Sequence, residues 1–114
     1  MTRRLQRLND QIRDVLAQLL ARETQDPHLQ GIISITGVET TPDLRTSRIF
    51  VSVLGSDAEA EETVGHIRHA ASFFRRELAA RLSLRRTPDL DFRLDRSIAE
   101  GARIDQLLRE IRSG

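Results

Sequence analysis

One stretch constrains the fold of this chain more than any other: residues 64–95, VGHIRHAASFFRRELAARLSLRRTPDLDFRLD. Its first half has apolar residues every three or four positions, so they share one face of a helix. These residues are Val64, Ile67, Ala71, Phe74, Leu78 and Leu82. Pro88 ends the helical pattern, because the residue before a proline is disfavoured in the helical region. Leu90, Phe92 and Leu94 then alternate with polar residues, which predicts a strand.

The helical region, from about Ala58 to Leu84, is long for a compact chain of this size. As one straight helix it would span roughly 40 Å, at 1.5 Å per residue. A compact chain of this length has a radius of gyration near 13 Å and hence a diameter of about 35 Å. Ala70, Ala71 and Ser72 stand together halfway along, and small residues beside a serine permit bending. We therefore predict two helices that meet near Ala71.

The same stretch carries the charge asymmetry of the chain. Between Arg68 and Arg86 there are six arginines and one acid, Glu77, a balance of +5, whereas the whole chain has a net charge of +1. Four acids stand just before it: Asp57, Glu59, Glu61 and Glu62. This separation favours a polyanionic partner on one side of the protein. All 18 Lys and Arg residues are arginine, which binds phosphate bidentately, although a GC-rich genome explains that usage equally well.

The N-terminal half of the chain predicts one helix and two strands. Thr2 to Glu23 carry a long apolar stripe at helical spacing. Ile32–Thr41 and Arg45–Leu54 alternate apolar and polar residues, and their closeness in sequence predicts an antiparallel pair. Val38 falls on the wrong side of the alternation, so we expect a bulge at Gly37.

The C-terminal end predicts a short final helix. Ser97 and Glu100 have the spacing of a capping box, in which each residue binds a free amide of the first helical turn. We expect residues 112–114 to fray. The whole order is helix, strand, strand, helix–kink–helix, strand, helix, which predicts an α+β fold with helices on one face of a three-stranded sheet. At 114 residues we expect a single domain that spans 1–114.

Composition excludes several classes of protein and site. The chain has no Cys, hence no disulfide and no thiolate nucleophile, and no apolar run is long enough for a membrane span. We expect a cytoplasmic monomer with no cofactor. Glu62, His66 and His69 share a helical flank with metal-ligand spacing, but no further ligand is evident and Arg68 would repel a cation. We therefore predict no metal site. Without a nucleophile–base pair or a phosphate-cradling loop, we also predict no enzymatic activity.

The order of elements, with a basic helix pair before the last strand, resembles the type II KH fold. Four motifs in succession are more specific: DPHLQG, TPDLR, FFRREL and LRRTPDLDF. The segments that contain them, DPHLQGIISITGVETTPDLRTSRIFVSVLG and IRHAASFFRRELAARLSLRRTPDLDFRLDRSIAEGARIDQLL, cover nearly the whole chain together with the arginine-rich first helix. On these segments the chain resembles the ribosome-binding factor A family. The resemblance implies an assembly factor that binds the free small (30S) ribosomal subunit through 16S rRNA. It also implies a part in late maturation and 5′-end processing of 16S rRNA, a link to growth in the cold, and other assembly factors such as a GTPase as partners.

The resemblance also implies where RNA binds. KH domains clamp nucleic-acid backbone with a GxxG loop between two helices, and the resembled family has an A-x-G kink there. Ala70 and Ala71 match its start, and Ser72 stands where glycine is usual. The predicted RNA-binding residues are Arg68, Ala70, Ala71, Ser72, Arg75, Arg76, Arg81, Arg85 and Arg86, with Arg3, Arg4 and Arg7 as a weaker second patch.

Helical spacing divides the central part of this surface into two stripes. Arg68, Ser72 and Arg75 form one, which suits a phosphate between two guanidiniums. His69, Phe73 and Arg76 form the other, which offers a ring beside a charge for stacking on a base. Two alternatives remain open from the sequence: a solvated helix face, and a protein-interaction module whose arginines meet an acidic protein partner.

Overall fold

The computed structural model describes residues 3–23, 33–96, 108–109 and 111. Its elements confirm the predicted α+β order: α1 (Arg3–Glu23), β1 (Ile33–Thr40), β2 (Thr46–Val53), α2 (Asp57–His69), α3 (Ala71–Leu82) and β3 (Asp89–Leu94). Most of the predicted final helix, including its capping box and residues 112–114, lies outside the described residues. Leu108, Arg109 and Ile111 are helical and exposed. No helix in the described ranges is long and apolar enough to span a membrane.

The sheet has the order β1-β2-β3. β1 and β2 are antiparallel, as predicted, and their register shifts between Ile35 and Gly37, which confirms the bulge. β2 and β3 are parallel, with Ile49 opposite Phe92. A parallel pair needs a long crossover connection, and α2 with α3 provides it. The crossover therefore fixes the helix pair against the strand that follows it.

The core lies between the sheet and one layer of helices. Its buried residues come from every helix and from the two paired strands β2 and β3: Ile12, Leu16, Leu19, Leu20, Ile49, Ile67, Phe74, Leu78 and Phe92. The rings of Phe74 and Phe92 lie 5.8 Å apart and tilted by 60°, a geometry that aromatic pairs favour. α1 contacts β1 and α3, while α2 and α3 both contact β3. The predicted apolar face of the helix pair is thus confirmed as the face that closes the core.

Two sequence predictions about the helix pair need correction. α3 ends at Leu82 rather than Leu84, because Ser83 adopts a left-handed conformation (φ 49°) that ends the helix. The Cα radius of gyration is 16.3 Å, larger than the roughly 13 Å of a compact chain of this length. The overall size of the protein therefore does not force the helical region to break. The cause of the break between α2 and α3 is local.

Candidate nucleic-acid interface

The break between α2 and α3 lies at Ala70, which confirms the predicted kink. The φ of −91° and ψ of 8° at this residue belong to the bridge region between helix and strand. The Ala70 amide still donates to the carbonyls of Ile67 (3.0 Å) and His66 (3.3 Å), and the Phe74 amide donates to the Ala70 carbonyl (3.1 Å). Because φ is negative, the bend does not require a glycine at Ala70.

The three small residues at the break differ in their surroundings. Ala70 and Ala71 are half-buried and pack against the core. Ser72 is exposed and lies inside the first turn of α3. The serine that replaces the expected glycine therefore leaves the bend in place, and it presents a hydroxyl group to solvent beside the basic residues of α3.

Two arginines on either side of the break bind main-chain carbonyls near β3. Arg68 Nε donates to the carbonyl of Phe92 at 3.0 Å. Arg75 donates to the carbonyl of Thr87 from Nη2 (2.9 Å) and Nε (3.3 Å). Arg75 Nε also lies 3.6 Å from Asp89 Oδ1. The two guanidiniums predicted to flank a phosphate are therefore held by the protein, and each uses part of its donor capacity to join the helix pair to β3.

The remaining predicted arginines of this segment are more available. Arg76, Arg85 and Arg86 are exposed and make no side-chain hydrogen bond or ion pair within the described part of the chain. Arg81 forms an ion pair with Glu77 at 3.5 Å, and its side chain is 31% exposed. The uncompensated positive charge therefore lies on α3 and on the segment between α3 and β3.

An open depression of about 240 Å³ lies beside these arginines. Its lining residues are Ser72, Arg75, Arg76, Ala79 and Thr87. The helix supplies the first four, and the segment that enters β3 supplies Thr87. The hydrogen bonds from Arg75 to Thr87 join its two sides. Ala79 and Thr87 were not among the predicted site residues, because only the crossover geometry brings them together.

The predicted stacking stripe is only partly available for bases. Phe73 is half-buried and packs against the core, and its ring meets that of Phe74 edge-on at 5.5 Å and 65°. His69 and Arg76 are exposed. Phe73 thus uses part of its ring to close the core, which helical spacing alone did not reveal.

The second predicted patch lies on α1. Arg3, Arg4 and Arg7 are exposed, and none has a side-chain partner among the residues that the structure describes. α1 contacts α3. The α1 patch therefore lies on a helix that neighbours α3, the helix that carries Arg75, Arg76 and Arg81.

Two of the four acidic residues before the basic segment, Glu59 and Glu61, contact neighbouring side chains. Ser56 caps α2: its Oγ accepts from the Glu59 amide at 3.2 Å and donates to Glu59 Oε1 at 3.1 Å. Glu61 Oε1 lies 2.6 Å from Arg96 Nη2. The spacing Ser56-x-x-Glu59 is that of a capping box, so the sequence held the signal for this helix start.

Glu62 and His66 lie near each other; they are two of the three residues that have metal-ligand spacing in the sequence. His66 Nε2 is 3.9 Å from Glu62 Oε1, and both side chains are 76% exposed. Within the described ranges no group of three His, Cys, Asp or Glu residues is placed to hold a metal ion.

This arrangement of a broken basic helix beside a parallel strand can be compared with known proteins. The family model described as ribosome-binding factor A matches residues 4–108 of the chain. The chain is 41% identical to the ribosome-binding factor A of Desulforamulus reducens, over 99% of this chain and 93% of that protein. It belongs to the ribosome-binding factor A family. The family member of an Anaeromyxobacter species is 42% identical, over 93% of this chain and 87% of that protein.

Solved structures of ribosome-binding factor A proteins have the same fold. The solution structure from Thermotoga maritima has a TM-score of 0.69 and 30% identity, over 80% of this chain and 86% of that one. A Thermus thermophilus homology model, fitted into a cryo-electron-microscopy map of a 30S complex, has a TM-score of 0.65 and 23% identity, over 77% and 91% of the two chains. These neighbours confirm the KH-like α+β fold, and the family is one of ribosome-binding factors rather than a known enzyme family.

Proposed function

We propose that this protein binds the free 30S subunit through 16S rRNA and assists its late maturation, including 5′-end processing of 16S rRNA. One observation carries the proposal: Arg76, Arg85 and Arg86 are exposed without a partner in the described part of the chain. They lie on a protein of the ribosome-binding factor A family. The Thermus thermophilus neighbour was fitted into a map of its complex with 30S. The protein acts in the cytoplasm as a monomer, with other assembly factors such as a GTPase.

The contacts divide the predicted arginines into two roles. Arg76, Arg85 and Arg86 bind rRNA phosphates directly through charge-assisted hydrogen bonds, because their guanidiniums have no partner in the ranges that the structure describes. Arg68 and Arg75 position the helix pair against β3 through the carbonyls of Phe92 and Thr87. Arg81 adds charge that Glu77 partly compensates. The exposed arginines of α1 form the second contact with rRNA.

Sedimentation with free 30S subunits at several salt concentrations tests the binding. We expect co-migration that nuclease digestion abolishes. Four or five phosphate contacts give a slope of log K against log salt near −4, at about −0.9 per contact. A triple variant, Arg76→Gln with Arg85→Gln and Arg86→Gln, should reduce that slope by about 3.

A matched control removes the same charge elsewhere. The control variant changes three arginines on the β1–β2 turn and on the strands to Gln: Arg45, Arg48 and Arg93. It should keep the wild-type slope of log K against log salt. Equal losses in both triple variants would show that only net charge matters. Salt-independent or nuclease-resistant co-migration would overturn RNA binding and favour a protein partner with an acidic surface.

The part in maturation needs a separate readout. In cells depleted of the protein, primer extension should detect 16S rRNA with unprocessed 5′ ends. The wild-type protein should restore processing, and the triple variant should not. Normal 5′ ends after depletion would contradict the role in processing while leaving 30S binding intact.

A further inference from the structure

We infer that the depression lined by Ser72, Arg75, Arg76, Ala79 and Thr87 is a subsite for one backbone phosphate of the bound rRNA. The inference rests on the proposed binding to rRNA and assigns separate roles to three of the lining residues. Arg76 binds the phosphate, Arg75 is a positioning residue, and Ala79 leaves the space that the phosphate occupies.

The shape of the depression suits a group larger than water. Its volume is about 240 Å³, whereas one water needs on the order of 10–15 Å³. Ala79 contributes the smallest side chain of the lining, at a position where a larger one would fill the space. Thr87 lines the side of the depression opposite Arg76, and a threonine hydroxyl can donate a hydrogen bond to a phosphate oxygen. A hydrated phosphate therefore fits with donors on both sides.

The charges make Arg76 the phosphate ligand. Arg75 lies 3.6 Å from the carboxylate of Asp89, which partly compensates its charge. Its hydrogen bonds to the Thr87 carbonyl hold it against the wall of the depression. Arg76 has no such partner in the described chain, so its charge is available to an anion. Asp89 is 78% exposed and repels an anion at this site.

The first test fills the depression. Ala79→Leu should weaken binding to free 30S subunits about tenfold, an effect of the size expected for one lost charged hydrogen bond. Ala80→Leu is the matched control, because Ala80 is exposed on the same helix and does not line the depression. Thermal unfolding of both variants checks that they fold. If Ala79→Leu binds like wild type while wild type binds 30S, the subsite is wrong and the proposed function stands.

The second test uses coupling between residues. Arg76→Gln should weaken binding and reduce the salt slope by about 1. Ala79→Leu added to Arg76→Gln should cause no further loss, because both changes remove the same contact. Added to Arg85→Gln, which lies outside the depression, it should cause its full loss. Full additivity with Arg76→Gln would overturn the assignment.

The third test is a gain of affinity that misfolding cannot imitate. Asp89→Asn removes the competing carboxylate, so 30S binding should tighten by a few-fold and the salt slope should steepen. Weaker or unchanged binding would contradict the inference. Inorganic phosphate alone, titrated into the protein and followed by NMR, tests the subsite without RNA. Chemical-shift changes at millimolar phosphate that are confined to Arg76 and its neighbours support the subsite. If wild type fails to bind 30S at all, both the proposed function and the subsite fall.

Discussion

Arg68 on α2 and Phe92 on β3 are joined by a hydrogen bond of 3.0 Å from the guanidinium Nε to the main-chain carbonyl. The amides of Asp89, which begins β3, and of Asp95, just after β3, donate to the carbonyls of Arg45, just before β2, and of Val51 on β2. The odd-numbered residues of β3 therefore face β2. Phe92 is an even-numbered residue of β3, so its N–H and C=O groups point away from β2. Its carbonyl therefore faces the outer edge of the sheet. Arg68 covers an edge that would otherwise be free to pair with another chain, and it fixes the end of α2 against β3.

Replacing Arg68 tests this positioning role. Arg68→Met keeps the apolar stem but removes the donor, so we expect the free energy of unfolding to fall by about 1 kcal/mol. Urea denaturation measures the change. Arg76→Met is the control, because Arg76 has no partner in the described chain, and it should change stability by less than about 0.5 kcal/mol. Equal stability of both variants would mean that the Arg68 bond contributes nothing.

Ser72→Gly tests whether the bend depends on the residue that stands where the family resemblance predicted a glycine. The break lies at Ala70 with negative φ, so no glycine is required. We expect binding to 30S to stay equal or become tighter. Stability should fall by roughly 0.5 kcal/mol, because glycine is a poorer helix former. A clear loss of binding, measured by sedimentation, would contradict this account of the kink.

The buried hydroxyls of Thr40 and Ser47 form a hydrogen bond of 2.7 Å across β1 and β2. Ser47→Ala leaves the Thr40 hydroxyl without this partner, so we expect a loss of about 1–3 kcal/mol in the free energy of unfolding. Thr40→Val combined with Ser47→Ala should cost less than the sum of the single changes, because no polar group is then left unpaired. Strict additivity in urea denaturation would show that the bond is not an energetic unit.

The β1–β2 turn should respond to acid through Asp43. The Thr41 hydroxyl donates to the Asp43 carboxylate at 2.6 Å, and this bond, with a further one from the Arg45 amide, lowers the Asp43 pKa from its ordinary value of 3.8. The ionised Asp43 carboxylate therefore stabilises the folded protein fully above about pH 4. This stabilisation is lost as the pH falls through the lowered pKa of Asp43. In Asp43→Asn this part of the pH dependence should be absent.

Two measurements check the turn. The NMR titration midpoint of the Asp43 carboxyl should lie below 3.8. Urea midpoints should converge for wild type and Asp43→Asn as the pH is lowered below that value. An NMR titration midpoint of Asp43 at or above 3.8 would contradict the hydrogen bonds of this turn.

The fold could be predicted well from the sequence because its signals are local. The helical spacing of Ile67, Phe74 and Leu78 indicated the buried face, and the misplaced Val38 indicated the bulge. The helix end at Ser83 was missed, since a left-handed serine leaves no strong local signal.

The candidate site was less predictable because its geometry depends on distant contacts. The sequence indicated the arginines and favoured Arg68 and Arg75 as the pair that flanks a phosphate. It could not show that Arg75 is held by Thr87 while Arg76 has no partner among the described residues, since that difference depends on how the chain returns to form β3. The proposed roles of the individual arginines follow from this difference.

The sequence by itself determined the order of elements, the break near Ala71, the family and the sign of the surface charge. Each of these depends on periodicity, small residues, motifs or charges, which are properties of the linear sequence. The tertiary structure alone decided that β3 lies parallel to β2 and that Thr87 meets α3. A crossover brings residues together only when the core closes. Which of the described arginines are held by other groups is therefore a property of packing, not of spacing.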